Sequence, residues 1–157
     1  MNLLVWLENS ALGVWIRESE WGYPIILICH TVGMAIVVGG VMALALRILL
    51  ARSSTALAWF ETLFQLAWIG FGINFISGMV LFSGSPRRFI ANPAFQVKLA
   101  ALAAGALAVW LLATRLEAEG RRAPTLAPSR GTRAVAATSI LLWFGAIGAG
   151  RLMAYLR

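Results

Sequence analysis

The chain contains no aspartate, one cysteine and one histidine, and only 12% of its 157 residues are charged. Each scarcity excludes something. The glutamates lie in the N-terminal segment (Glu8, Glu18, Glu20), at one apolar-run entry (Glu61) or in a polar loop (Glu117, Glu119), so no carboxylate pair sits inside an apolar run. No nucleophile elbow and no phosphate-binding loop is present, so hydrolytic chemistry lacks its parts and the chain is not expected to be an enzyme on its own. The single Cys29 excludes an internal disulfide, and there is no CxxC pair for zinc or redox work. The opening MNLLVWLENS has no basic stretch and does not read as a cleaved signal peptide. No repeat, low-complexity segment or long linker appears, and residues 1–157 read as a single membrane domain.

What is abundant is apolar surface: 61% of the residues are hydrophobic. A soluble domain is nearer half apolar and a quarter charged, so lipid must be the solvent. The formal charge is +7. Most basic residues flank apolar runs, and no basic–aromatic module accompanies them. Attraction to anionic headgroups accounts for the charge, and nucleic acid is not expected as a partner.

The dominant stretch is residues 21–50, WGYPIILICHTVGMAIVVGGVMALALRILL, with no charge from Gly22 to Leu46. That exceeds the ~20 residues a helix needs to cross the hydrocarbon. Pro24 suits a first helical turn, Trp21 and Tyr23 suit the interface, and Arg47 can snorkel to the far surface. Further spans are expected at about residues 59–82, 94–116 and 134–155. The fold class is therefore an all-α integral membrane protein, four transmembrane helices in a bundle. Residues 3–19 come first, an amphipathic segment with Leu3, Trp6, Leu7, Ala11, Val14 and Trp15 at helical spacing. It is expected as one helix, either lying in the interface or packed on the bundle end. The turn at residues 51–58, the basic loop at 87–93 and the long polar loop at 117–133 connect the spans. With the N-terminus outside, seven basic residues fall inside (Arg47, Arg52, Arg115, Arg121, Arg122, Arg130, Arg133) against six outside. The positive-inside rule thus leans toward a periplasmic N-terminus.

His30 is a titratable ring near the middle of the first span, and such a residue is a functional candidate by default. Ile26, Gly33, Met34, Val37 and Gly40 share its helix face, and the glycines leave room for a flat group or another backbone. Haem ligation, metal ligation, proton relay and interhelical glue all remain open for it. Asn74 lies on a small and polar stripe with Ala67, Gly70, Ser77 and Gly78. By helical rise, His30 is ~5 Å from the midpoint of its span and Asn74 ~6 Å from that of the next, in the same leaflet. An Asn74–His30 hydrogen bond that fixes the imidazole tautomer is expected. Arg151 lies ~9 Å from the midpoint of the last span, on the His30 side. It either snorkels or, with Arg87, Arg88 or Lys98, holds an anion such as a haem propionate. Cys29 and the methionines are soft Cu(I) donors, but only Met34 shares the His30 face, and Cys29 points about 100° away.

The motif WGYP…His30-Thr-Val-Gly…Val-Gly-Gly…Leu-Arg47, followed by SGMVLFSGSPRRFIANPAFQVKLA, resembles an uncharacterised family of small bacterial multi-pass inner-membrane proteins. That family is similar in layout to copper-resistance D-type membrane proteins. The likeness runs from about Ser10 to Leu112, best at Trp21, Tyr23, Pro24, His30, Gly33, Arg47, Lys98 and residues 91–95. It implies a four-helix inner-membrane domain. Where such proteins often carry an acidic residue before the histidine, this chain has Leu27. Where they often carry Asn and His on the third span, it has Leu107 and Leu112. One histidine per chain then implies a second axial ligand from another copy, from a membrane-protein partner or from Met34, or an open position. The leading expectation is a small redox- or copper-associated membrane subunit that binds haem b or a metal ion (copper included) at His30, in a homo-oligomer or beside a partner. Two other readings stand: a non-catalytic assembly scaffold, and a copper or small-solute permease lined by His30 and Asn74.

Overall fold

The computed structural model describes residues 3–51, 57–122 and 127–155, with the side chains of 57–60 and 122 left aside. The middles of two expected connections, residues 52–56 and 123–126, lie outside it, as does Arg157. Among the described residues all regular structure is helical: α1 (Leu3–Glu8), α2 (Ala11–Glu18), α3 (Gly22–Leu50), α4 (Leu57–Ser83), α5 (Pro86–Ala91), α6 (Pro93–Arg122) and α7 (Arg130–Leu152). Four of these helices, α3, α4, α6 and α7, are long and apolar enough to cross a membrane. At 29 residues, α3 is about 43 Å long, enough to pass beyond the hydrocarbon at both ends.

The N-terminal segment is two short helices rather than one. Ser10 makes the break. Its hydroxyl accepts from the Gly13 N–H (3.1 Å) and donates to the Leu7 carbonyl (2.6 Å), which caps α2 and closes α1. α2 packs against the end of α4: Gly13 and Ile16 are buried there. A Cβ on Gly13 would stand 2.7 Å from the Ser83 carbonyl oxygen. Trp6, Leu12 and Trp15 are left exposed on the outer face.

The basic stretch after α4 is also helical, where a loop was expected. Pro86 supplies the first turn of α5, and Phe89 packs at a tilt against Phe95 (5.5 Å) and Phe82 (6.2 Å by ring centroid), which themselves stack at 5.7 Å. Asn92 ends α5 and starts α6 by accepting from the Ala94 N–H (2.9 Å). At the opposite end, α6 and α7 both run into the polar segment expected as loop. Arg121 pairs with Glu117 one turn away, and Ser129 caps α7 by accepting from the Thr132 N–H (3.2 Å). Glu119 then accepts from the Thr132 hydroxyl (2.6 Å) and the Ser129 N–H (3.2 Å), tying the two helices together.

The bundle is assembled from two hairpins. α3 packs along α4, α6 along α7, and the hairpins join through α3 and α7, whereas α4 and α6 meet only sparsely. Hydrophobic drive between helices is absent in lipid, so close packing must supply the attraction. A Cβ on Gly70 would come within 2.5 Å of the Val37 nitrogen, and one on Gly33 within 2.7 Å of the Asn74 nitrogen. Glycine therefore lets the α3 and α4 backbones touch. Between α6 and α7 the device is a tryptophan over a glycine: the buried Trp143 indole lies where a Gly105 Cβ would come within 3.0 Å of Nε1. Beyond it, Leu44, Ile48, Leu112, Leu116 and Ala136 form a dry cluster near the end of α3. The outer faces are apolar, as lipid requires: Ile76 is 66% exposed and Leu141 72%.

Candidate functional site

The site is built where the first halves of α3 and α6 meet the second halves of α4 and α7. His30 of α3 is half-buried and faces α4. Its Nδ1 lies 3.0 Å from the Asn74 carbonyl oxygen and 3.1 Å from Ser77 Oγ. The Ser77 hydroxyl proton is directed to the Ile73 carbonyl, 2.6 Å away, which leaves an oxygen lone pair toward the ring. Both neighbours of Nδ1 are thus acceptors, so Nδ1 carries the proton. In the neutral ring Nε2 then holds the free lone pair, and Nε2 makes no hydrogen bond among the described residues.

The reciprocal bond comes from the Asn74 carboxamide, whose Nδ2 donates to the His30 carbonyl oxygen at 2.8 Å. The pair expected from helix depth is therefore present, but through different atoms. Each side chain grips the other residue's backbone, and the carboxamide does not touch the imidazole. Gly78 makes this geometry feasible. A Cβ there would stand 3.2 Å from His30 Cε1 and 3.5 Å from Nδ1. With no side chain at Gly78, the ring lies against a helix backbone whose carbonyls already serve their own helix.

The remaining candidates separate. Met34 is half-buried one turn further along α3. Cys29 is exposed. Arg151 is exposed near the end of α7, and Arg88 is exposed on α5. Arg87 is engaged elsewhere: its Nε donates to Glu8 Oε2 at 2.7 Å, and that guanidinium holds the Glu8 carboxyl below its ordinary range. Arg17 supports the same cap by donating to the carbonyls of Glu8 and Gly84, both at 3.2 Å. The arginines named as anion holders thus form or flank the short-helix cap and do not converge on His30.

One residue was undervalued by reading the sequence. Lys98 of α6 is half-buried, lies flat along α7 at Gly150 and is close enough to His30 to act on it electrostatically. The signal was available: Lys98 is the only lysine in a chain whose other basic side chains are arginines, apart from His30. No cluster of three or more His, Cys, Asp or Glu side chains suited to a metal ion occurs among the described residues. The chain matches no known family model, no curated protein and no solved structure.

Proposed function

We propose that the chain is a small multi-pass subunit of the bacterial inner membrane, N-terminus periplasmic, that binds haem b through His30 Nε2 within a redox-associated assembly. The observation that carries this reading is the Nδ1–H held between the Asn74 carbonyl and Ser77 Oγ, with Nε2 left free. A ligating imidazole is ordinarily oriented in this way, by a hydrogen bond from its other nitrogen that also raises its basicity. The donor set favours haem over a bare metal ion. A closed copper or zinc site needs three or four side-chain ligands, and no such group of His, Cys, Asp and Glu is assembled among the described residues, whereas haem asks the protein for one or two axial ligands. The second ligand would come from Met34, from another copy of the chain or from a partner. Bound haem would supply one-electron chemistry; the chain's own part is to orient the ring and fix its tautomer.

A second reading is favoured by the Asn74 carboxamide on the His30 carbonyl. With the Gly33 and Gly70 contacts it makes the His30–Asn74 pair a clamp between α3 and α4, which suits a non-catalytic scaffold. A reduced-minus-oxidised visible spectrum of the purified protein, with metal analysis on the same sample, separates the two. The haem reading expects a b-type spectrum that disappears in His30→Ala. Protein made with haem and metals in supply that carries neither would leave the scaffold reading standing.

A further inference from the structure

Lys98 poses a charge problem that His30 does not. It is the sixth residue of α6, about 8 Å along the helix from Pro93, inside a span and half-buried. The ion pairs among the described residues join Arg17 to Glu18, Arg87 to Glu8 and Arg121 to Glu117, and none involves Lys98. Glu20 is exposed outside the spans, and Glu61 and Glu119 belong to the opposite end of the bundle. No glutamate among the described residues therefore pairs with the ammonium. The side chain does not escape to the surface either. Its Cδ, Cε and Nζ lie 3.6–3.7 Å from where a Gly150 Cβ would be, so the whole outer half of the lysine is laid against α7. An arginine would snorkel, as the exposed Arg151 does one residue further on. A charged group held inside a span in this way calls for a partner of opposite charge.

We propose that Lys98 forms a binding site for an anionic oxygen group, a carboxylate or phosphate, that enters alongside α6 and α7. The ammonium supplies up to three donors and the positive charge. The absence of a side chain at Gly150 lets the lysine lie against α7. Headgroup phosphates and carboxylates are the anions a membrane presents in greatest number, which favours oxygen anions over halides. The site does not depend on what His30 ligates. A free small oxyanion and a lipid headgroup present the same chemistry to it.

The test exploits the composition. Because Lys98 is the only lysine and His30 the only histidine, protein labelled with [13C,15N]lysine and [15N]histidine gives one side-chain signal set for each. Haem-free protein in zwitterionic detergent is titrated with acetate, then with inorganic phosphate, against sodium chloride at matched ionic strength. In a further arm it is placed in discs of phosphatidylcholine with and without phosphatidylglycerol. The expected result is a saturable shift of the Lys98 signal and a smaller one of the His30 ring. Acetate or phosphate producing it marks a free oxyanion as the ligand, and phosphatidylglycerol alone producing it marks a lipid headgroup. Read on the His30 ring, Lys98→Gln weakens the response roughly tenfold or more, and Lys98→Arg retains most of it. An unmoved Lys98 signal in every arm overturns the proposal, as does a chloride response equal to that of acetate. The His30 Nδ1–H signal reports whether each variant keeps the α3–α4 clamp. The haem reading stands or falls on the visible spectrum, so the two results are independent.

Discussion

At the end where α3 begins, the bundle holds a polar site between its helices and is capped by short helices; toward the end where α3 finishes, its interior is a tight apolar cluster beneath the Glu119–Thr132 tie. The first end holds the only histidine and the only lysine, the Asn74–Ser77 hydrogen bonds, and α1, α2 and α5 laid across it. The second holds Leu44, Ile48 and Leu112 with no exposed surface at all. The same four helices make both ends, so the difference is one of side chains. Small residues at the first end bring backbones together and leave polar groups to find one another across the gap. Branched residues at the second fill the gap themselves. In lipid the first arrangement carries specificity and chemistry, and the second carries packing.

The sharpest way to break this comparison is at Gly33, where the polar end depends on backbone contact. Gly33→Leu puts a side chain where even a Cβ would stand 2.7 Å from the Asn74 nitrogen. The α3–α4 hairpin must then separate, which should cost about 3 kcal/mol or more of unfolding free energy in a mixed-detergent titration. The His30 Nδ1–H signal should vanish with it, because its acceptors are on α4. A Gly33→Leu protein of ordinary stability with that signal intact would show that the contact is dispensable.

Leu112→Ala probes the other end. In water, deleting a buried leucine loses both its transfer energy and the contacts around the cavity; in lipid only the second remains. The expected loss is about 1–3 kcal/mol, below the soluble range. The discriminating readout is again the histidine: its ring signals should be unchanged, since Leu112 is packed with Leu44, Ile48 and Ala136 and not with the site. Movement of the His30 signal by Leu112→Ala would mean that the two ends are coupled rather than separate.

How much of this was legible beforehand follows from the range of the physics involved. The spans were legible because uncharged runs longer than a bilayer have few alternatives. The His30–Asn74 partnership was legible because helical rise fixes depth, and antiparallel helices bring equal depths together. The atoms were not, because they depend on Gly78 letting the ring reach the α4 backbone, a distance no spacing rule contains. The break in the N-terminal helix and the helical form of α5 were missed for a similar reason. Ser10 breaks the N-terminal helix and the Phe82–Phe89–Phe95 stack orders α5 through contacts that are tertiary as well as local. Lys98 was named only as one alternative among the anion-holding cations, because one cation early in a span resembles any snorkelling residue until Gly150 shows where its side chain lies.

A gentler change at the polar end is Gly78→Ala. The new methyl would approach His30 Cε1 to 3.2 Å, so the ring must give by a few tenths of an ångström. The cost to stability should be about 1 kcal/mol or less, since the side chain and not the backbone moves. The Nδ1–H bond to the Asn74 carbonyl should lengthen, and the neutral ring should then populate the Nε2–H tautomer. Both are read from the 15N shifts of the single histidine. Under the haem reading the same variant should bind haem more weakly than the wild type and more strongly than His30→Ala.

The smallest effect belongs to the cap, and it has a defined pH window. The Arg87 guanidinium donates to Glu8 and holds its carboxyl below the ordinary carboxylate range, while Glu8 raises Arg87 in turn. Arg87 is therefore protonated throughout, and only Glu8 titrates. A carboxylate whose folded value is depressed contributes fully above its unfolded value and loses that contribution as pH falls through the depressed one. Both side chains are solvent-accessible to some degree, so the contribution is small and weakened by salt. The expected observation is local: amide-exchange protection of α1 stays constant from neutral pH into the ordinary carboxylate range, then declines at more acid pH. Glu8→Gln should show the lower protection at every pH, with no acid step of its own. Arg87→Ala should flatten the wild-type step, because a carboxyl returned toward its ordinary value links little stability to pH. Identical protection in wild type and Glu8→Gln across the whole range would mean that the cap is held by α2 against α4 alone, with Gly13 and Ile16 as its anchors and the Glu8–Arg87 pair incidental.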